Sequence, residues 1–233
     1  MLIGKDFDKL QWHFNGFELL EPNSFISDSI LGIAAWYLFI MIKKESKFNI
    51  AWKYFFFWFG ASFFVGGFAH LFFNYWGVPG KIPPFFMMLI ATFYAEIAMI
   101  SIHKNNALLK RFENLSVIKL IAMSSLLLLF LVQFDITKNV QLGILLPSIN
   151  SVIGFTFILL YLPKVYEKQY GISLNAFRIA FVFTLLSALF QAFKINIHPW
   201  FDRNDASHYL LLISLYFYMK GIKKVQTNIV PLN

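Results

Sequence analysis

Seven stretches of this chain each approach the roughly 20 mostly apolar residues that a helix needs to cross a hydrocarbon core about 30 Å thick. They run about Phe25 to Ile42, Ile50 to Tyr75, Pro83 to Ser101, Leu115 to Phe134, Val140 to Leu162, Leu174 to Phe193 and Asp205 to Lys220. Short connections between them imply antiparallel neighbours. The expected fold is therefore all-α, a polytopic membrane protein built as a seven-transmembrane helix bundle. Residues 1–24 read as an interfacial segment anchored by Trp12, Phe14 and Phe17, residues 25–222 as the membrane domain and residues 223–233 as a cytoplasmic tail. The first 24 residues are too charged for a cleavable signal peptide.

Composition agrees and excludes other classes. Of 233 residues 58% are hydrophobic and only 14% charged, against about a quarter in a soluble domain. A soluble enzyme, a nucleic-acid binder and a disordered tail do not have such a surface. The absence of Cys removes disulfides, thiolate nucleophiles and Cys-ligated zinc.

The net charge of +8 reads as an orientation signal. One side of the expected bundle takes Lys43, Lys44, Lys47, Lys53, Lys104, Lys110, Arg111, Lys119, Lys164, Lys168, Arg178, Lys220, Lys223 and Lys224 against Glu45, Glu113 and Glu167, a balance of +11. The other holds Lys5, Lys9, Lys81, Lys138, Lys194 and Arg203 against eight acids, a balance of −2. The basic side is expected to be cytoplasmic, which puts the N-terminus outside and the C-terminus inside, in a bacterial cytoplasmic membrane with its lipids as partners.

Ionisable groups within or beside apolar helices are functional candidates because lipid penalises them. His70 lies near the outer end of the second span, and Asp205 and His208 share a helical face at the start of the seventh. His198, Asp202 and Asn204 precede them, and Glu18, Glu21, Asn23 and Asp28 lead into the first span on the same side. Two imidazoles and a carboxylate with one open position form a catalytic zinc arrangement, in which zinc activates water for hydrolysis. His70, Asp205 and His208 are the expected ligands, with Asp202 or His198 relaying protons. The plainer alternative makes Asn204 and Asp205 helix caps and His70 a hydrogen-bonded bundle histidine.

The order of parts resembles the seven-span CREST superfamily, which includes alkaline ceramidases and adiponectin/progestin receptors. His70 in Gly66-Gly67-Phe68-Ala69-His70 matches the family's histidine near the end of span two. His208 in Asn204-Asp205-Ala206-Ser207-His208 matches the second histidine of its HxxxH pair in span seven, with Asn204 replacing the first. Glu18-Leu19-Leu20-Glu21-Pro22-Asn23 is similar to the acidic D-x-x-E-x-N stretch that binds calcium in alkaline ceramidases. The resemblance implies a zinc-dependent hydrolase of lipid amide or ester bonds, with Asp205 standing in for the missing histidine and Glu18, Glu21, Asn23 and Asp28 organising a second cation such as calcium. The family aspartate after span two is not found in the Lys81 stretch, and Gly66 stands where the family has serine. A non-catalytic receptor, sensor or transporter with an outward-facing polar cavity is the alternative.

Three further features lie outside that cluster. Glu96, deep in span three, is expected to pair with Lys119 of span four rather than reach His70. Gly60, Ser62, Gly66, Gly67 and Ala69 predict close helix packing in span two. Ser187 and Gln191, four apart in span six, are expected to face a shared cavity.

Overall fold

The computed structural model describes residues 1–43, 45–135 and 140–230. Lys44, Lys138 and residues 231–233 of the expected tail lie outside the described residues. The long helices are α1 (Pro22–Met41), α2 (Lys47–Leu71), α4 (Ile82–Ile100), α5 (Asn106–Gln133), α6 (Val140–Thr156), α8 (Asn175–Ala192) and α9 (Arg203–Asn228). A four-residue helix, α3 (Phe73–Trp76), and a 3-10 turn at Val78–Lys81 join α2 to α4. A π-helical turn at Phe157–Tyr161 joins α6 to α7 (Leu162–Tyr170), so these three pieces form one interrupted rod.

Among the described residues six helical segments are long and apolar enough to cross a membrane: Pro22–Met41, Lys47–Leu71, Val78–Ile100, Asn106–Gln133, Gly143–Tyr170 and Asn175–Ala192. The helix expected as the seventh span, α9, is as long but carries more charged and polar residues and is not among the six. It nevertheless packs against α8 and α1, and its Leu215, Tyr218, Ile222 and Val225 belong to the central core. That core is aromatic: Trp52 stacks on Phe177 at 5.9 Å and meets Phe55 edge-on at 5.2 Å. The outer faces are apolar too. Of the 28 residues of α5 only Ser116 and Leu127 are buried, while Ile118, Ile121, Leu128 and Val132 are exposed. An apolar surface of that extent needs lipid or another apolar surface against it.

The helix boundaries follow local chemistry. Ser46 caps α2 by accepting from the Asn49 backbone N–H at 3.1 Å, and Asn105 caps α5 by accepting from Leu108 N–H at 3.0 Å. The Asn105 cap starts α5 about two and a half turns before the apolar run begins at Leu115. The second span is cut short at Leu71 relative to the expected Tyr75. Glycines set the α1–α2 spacing: a Cβ on Gly60 would lie 2.9 Å from the Gly32 carbonyl, and one on Gly67 would lie 2.9 Å from Asp28 Cβ. Close packing was expected at these positions. It does not extend to Gly66, whose Cβ would meet only Pro84 at 4.0 Å. Ser62 Oγ donates to the Pro84 carbonyl at 2.9 Å and ties α2 to α4. Lys119 pairs with Glu96 as expected, in space left by Gly154.

The N-terminal segment is a β-hairpin, where an interfacial segment of no stated structure was expected. Strands β2 (Gln11–Phe14) and β3 (Phe17–Leu20) pair antiparallel around Asn15 and Gly16, both at positive φ (47° and 82°) as a tight hairpin turn requires. The hairpin is tied to α3 by Glu18 N–H donating to Tyr75 Oη at 2.9 Å and by Asn74 Nδ2 donating to the Glu18 carbonyl at 3.2 Å. Strand β1 (Leu2–Ile3) pairs with β4 (Ile195–Asn196), the connection that leads into α9.

Candidate functional site

The start of α1, the end of α2 and the start of α9 meet at one end of the bundle. Glu21 occupies the left-handed region (φ 49°), and Pro22 then opens α1 with its preset φ. This turn directs the Glu21 carboxylate to α2, where Oε2 lies 2.8 Å from His70 Nδ1 and accepts from Lys9 Nζ at 3.0 Å. Burial raises the Glu21 pKa, but the surrounding His70, Lys9 and Lys81 outweigh it and hold the carboxyl well below its usual range.

Nearly two helical turns further along α1, Ser27 and Asp28 face α9. His208 bridges them: Nδ1 lies 2.9 Å from Ser27 Oγ, and Nε2 lies 3.2 Å from Asp28 Oδ1. Ser27 Oγ also donates to Asp205 Oδ1 at 2.7 Å, and Asn23 Nδ2 donates to Asp205 Oδ2 at 2.7 Å. Asp205 Oδ2 further accepts the Asp202 backbone N–H at 3.1 Å. Asn23, Ser27, Asp28, Asp205 and His208 are all buried. A second layer backs them: Gln191 Nε2 donates to Ser207 Oγ at 2.9 Å and Asn204 Oδ1 at 3.0 Å, and Asn204 Nδ2 donates to Ser24 Oγ at 3.3 Å.

Proton accounting fixes the logic of this network. Ser27 has one hydroxyl proton, and its shortest contact is to the Asp205 carboxylate. With the proton directed there, Oγ accepts from His208 Nδ1–H, and Nε2 is left to face Asp28. Asp205 thus orients Ser27, Ser27 orients His208, and the free ring nitrogen points at a second carboxylate.

The expected ligands His70, Asp205 and His208 do not converge. Asp205 has both oxygens engaged, by Asn23, Ser27 and the α9 backbone, and reaches His208 only through Ser27. Among the described residues no three His, Asp or Glu side chains stand in metal-coordinating positions. The donor chemistry nevertheless fits zinc with a different carboxylate. A metal-bound histidine characteristically donates its other ring N–H to a carboxylate or similar acceptor. His70 Nδ1 has Glu21 and His208 Nδ1 has the Ser27–Asp205 relay, while Nε2 of His208 meets Asp28. The 3.2 Å between His208 Nε2 and Asp28 Oδ1 is close to the ~3.3 Å edge of a tetrahedron with zinc-length arms.

The other expected residues have separate tasks. Asp202 caps α9, its Oδ1 accepting from Asn204 N–H at 2.7 Å and Asp205 N–H at 3.3 Å in a reciprocal capping box. Burial, then the charge of Asp205, raises its pKa to about 6. Exposed His198 closes the turn before α9, its Nδ1 accepting from Trp200 N–H at 3.1 Å. Glu18, Glu21, Asn23 and Asp28, expected around one cation, are dispersed: Glu18 is exposed on the hairpin, Glu21 faces His70, Asn23 faces Asp205 and Asp28 faces His208. Ser27, the hub of the network, was not anticipated. Its signal was the polar stripe Asn23, Ser24, Ser27 and Asp28 on one face of an otherwise apolar helix.

A cavity of about 120 Å³ reaches this network from the side, lined by Asn23, Ser27 and Asp205 beneath Trp200, Phe201 and Tyr209. It touches Ser27 and Asp205, the groups that hold His208.

Residues 23–227 match the model of a protein family described as a family of unknown function, DUF6962. The chain belongs to this family. The match takes in α1 through nearly all of α9, so the buried polar network lies within the family's shared region, while the hairpin and Glu21 precede it. No curated protein and no solved structure matches the chain.

Proposed function

We propose that the protein is an integral membrane hydrolase of lipid amide or ester bonds, dependent on a metal held by His70, His208 and Asp28. In this reading α9 is the seventh span, the polar end faces outward, and the basic C-terminal side lies in the cytoplasm of a bacterial cell. The observation that carries the reading is the pair of histidines whose Nδ1 atoms are held by Glu21 and by Ser27, with Nε2 of His208 facing Asp28. The resemblance to the CREST superfamily at His70 and His208 supports the same assignment.

Zinc there would supply the Lewis acidity that activates water and polarises a lipid carbonyl. The protein's own groups do the rest. Glu21 and the Ser27–Asp205 relay fix the two imidazoles, Asp205 holding the Ser27 hydroxyl that in turn holds His208. Asp202 maintains the start of α9 and with it the position of Asp205 and His208. Calcium at the dispersed acidic segment has no such support.

A non-catalytic receptor, sensor or transporter is the second reading. The cavity, about 120 Å³ against the ~300–1,000 Å³ of ordinary ligand pockets, suits a small ligand or ion better than a lipid. The two are separated by assaying purified protein in lipid against ceramide-type amides and glycerolipid esters, before and after chelation. The hydrolase reading expects turnover that chelation abolishes and zinc restores; absence of turnover in zinc-loaded protein favours the second reading.

A further inference from the structure

A larger concavity lies away from the polar end. Helices α1 and α9 leave a groove of about 370 Å³ between them, walled by Ala34 and Leu38 on one side and Leu215 and Met219 on the other, with Lys220 and Lys223 at one end. The α9 residues that line it extend from Leu212 to Lys223, about 16 Å of helix. That is half of a ~30 Å hydrocarbon core, the depth of a single leaflet. The lysine end is about 22 Å along α9 from His208, so the groove opens to the leaflet opposite the polar site.

The chemistry of the groove selects its occupant. Apolar walls suit an acyl chain, and both lysines are exposed where that chain would end. No carboxylate lines the groove, and among the described residues neither lysine makes an ion pair. Lys220 Nζ sits 4.8 Å from the Tyr216 ring centroid, which holds the ammonium over the groove's edge. A lysine ammonium at the surface beside an apolar groove is the disposition of a lysine at a membrane interface.

We infer that this groove binds one anionic phospholipid, with an acyl chain between α1 and α9 and the phosphate on Lys220 and Lys223. The inference needs the membrane-embedded fold and is independent of the hydrolase reading. A basic residue near an anionic lipid surface contributes about fivefold in binding.

The test uses the full chain in phosphatidylcholine nanodiscs carrying trace spin-labelled phosphatidylglycerol or spin-labelled phosphatidylcholine, and reads the motionally restricted fraction. Wild type is expected to prefer phosphatidylglycerol by about fivefold or more. Lys220→Gln with Lys223→Gln is expected to abolish the preference, Lys220→Arg with Lys223→Arg to retain it, and Ala34→Trp to lower restriction of the anionic probe by filling the groove. Equal restriction of the two probes by wild type, or a preference that survives the double Gln variant, overturns the assignment.

Discussion

His208 Nε2 lies 3.2 Å from Asp28 Oδ1, with both residues buried between α1 and α9. A histidine and an aspartate taken out of water into contact need further partners to offset their desolvation. Ser27 and Asp205 supply them on the Nδ1 side of the ring, and Gly67 supplies the room on the other face of Asp28.

Ser27→Ala removes the link between Asp205 and His208 without changing a charge. Loss of such an outer-shell partner is expected to weaken zinc binding about 10–100-fold. Leaving buried groups unpaired is also expected to destabilise the fold by about 1–3 kcal/mol. Competition with a calibrated chelator and thermal unfolding in detergent check the two effects separately.

Gly67→Ala and Gly66→Ala are neighbouring changes with opposite expectations. At Gly67 the new methyl would meet Asp28 Cβ at 2.9 Å and push α1 off α2, at about 1–3 kcal/mol. At Gly66 the nearest atom is 4.0 Å away, so the change is neutral or gains up to ~1 kcal/mol of helix propensity. Thermal unfolding of the pair checks this, and the first variant is also expected to lose metal.

The gathering of His70, Asp205, His208 and the α1 acids at one end was readable from the sequence, because apolar helix length and alternating direction fix which ends coincide. Which carboxylate meets His208 was not. That depends on the rotation of α1 about its axis, which Gly32, Gly60 and Gly67 set through three-dimensional packing. Asp205 was favoured because it shares a helical face with His208, yet the same placement lets it close the capping box on Asp202. Ser27 escaped a search keyed to ionisable groups. The hairpin was legible in Asn15-Gly16 between two alternating runs, but its aromatic residues read equally as membrane anchors.

Asp202 gives a pH dependence with a definite sign. Its pKa of about 6 in the fold exceeds that of an unfolded aspartate, about 4, so between these values the folded state binds more protons. Its contribution to stability therefore falls as pH rises from about 4 to about 6 and is constant above. Asp202→Asn keeps a capping side chain and is expected to remove that slope, as measured by unfolding midpoints across the range.

Buried Glu96 and half-buried Lys119 make a second pair, remote from the polar end. Lys119→Met strands the Glu96 carboxylate and is expected to cost about 3–5 kcal/mol. Glu96→Gln together with Lys119→Met is expected to recover most of that loss, and a double-mutant cycle on unfolding free energy measures the coupling.

The metal content of purified protein tests the central claim most directly, comparing wild type with Asp28→Asn, His208→Gln and Asp205→Asn. The account predicts one zinc per chain in wild type, none in Asp28→Asn or His208→Gln, and weakened but measurable binding in Asp205→Asn. Wild type without stoichiometric metal, or Asp28→Asn that retains it while Asp205→Asn loses it, would contradict the assignment.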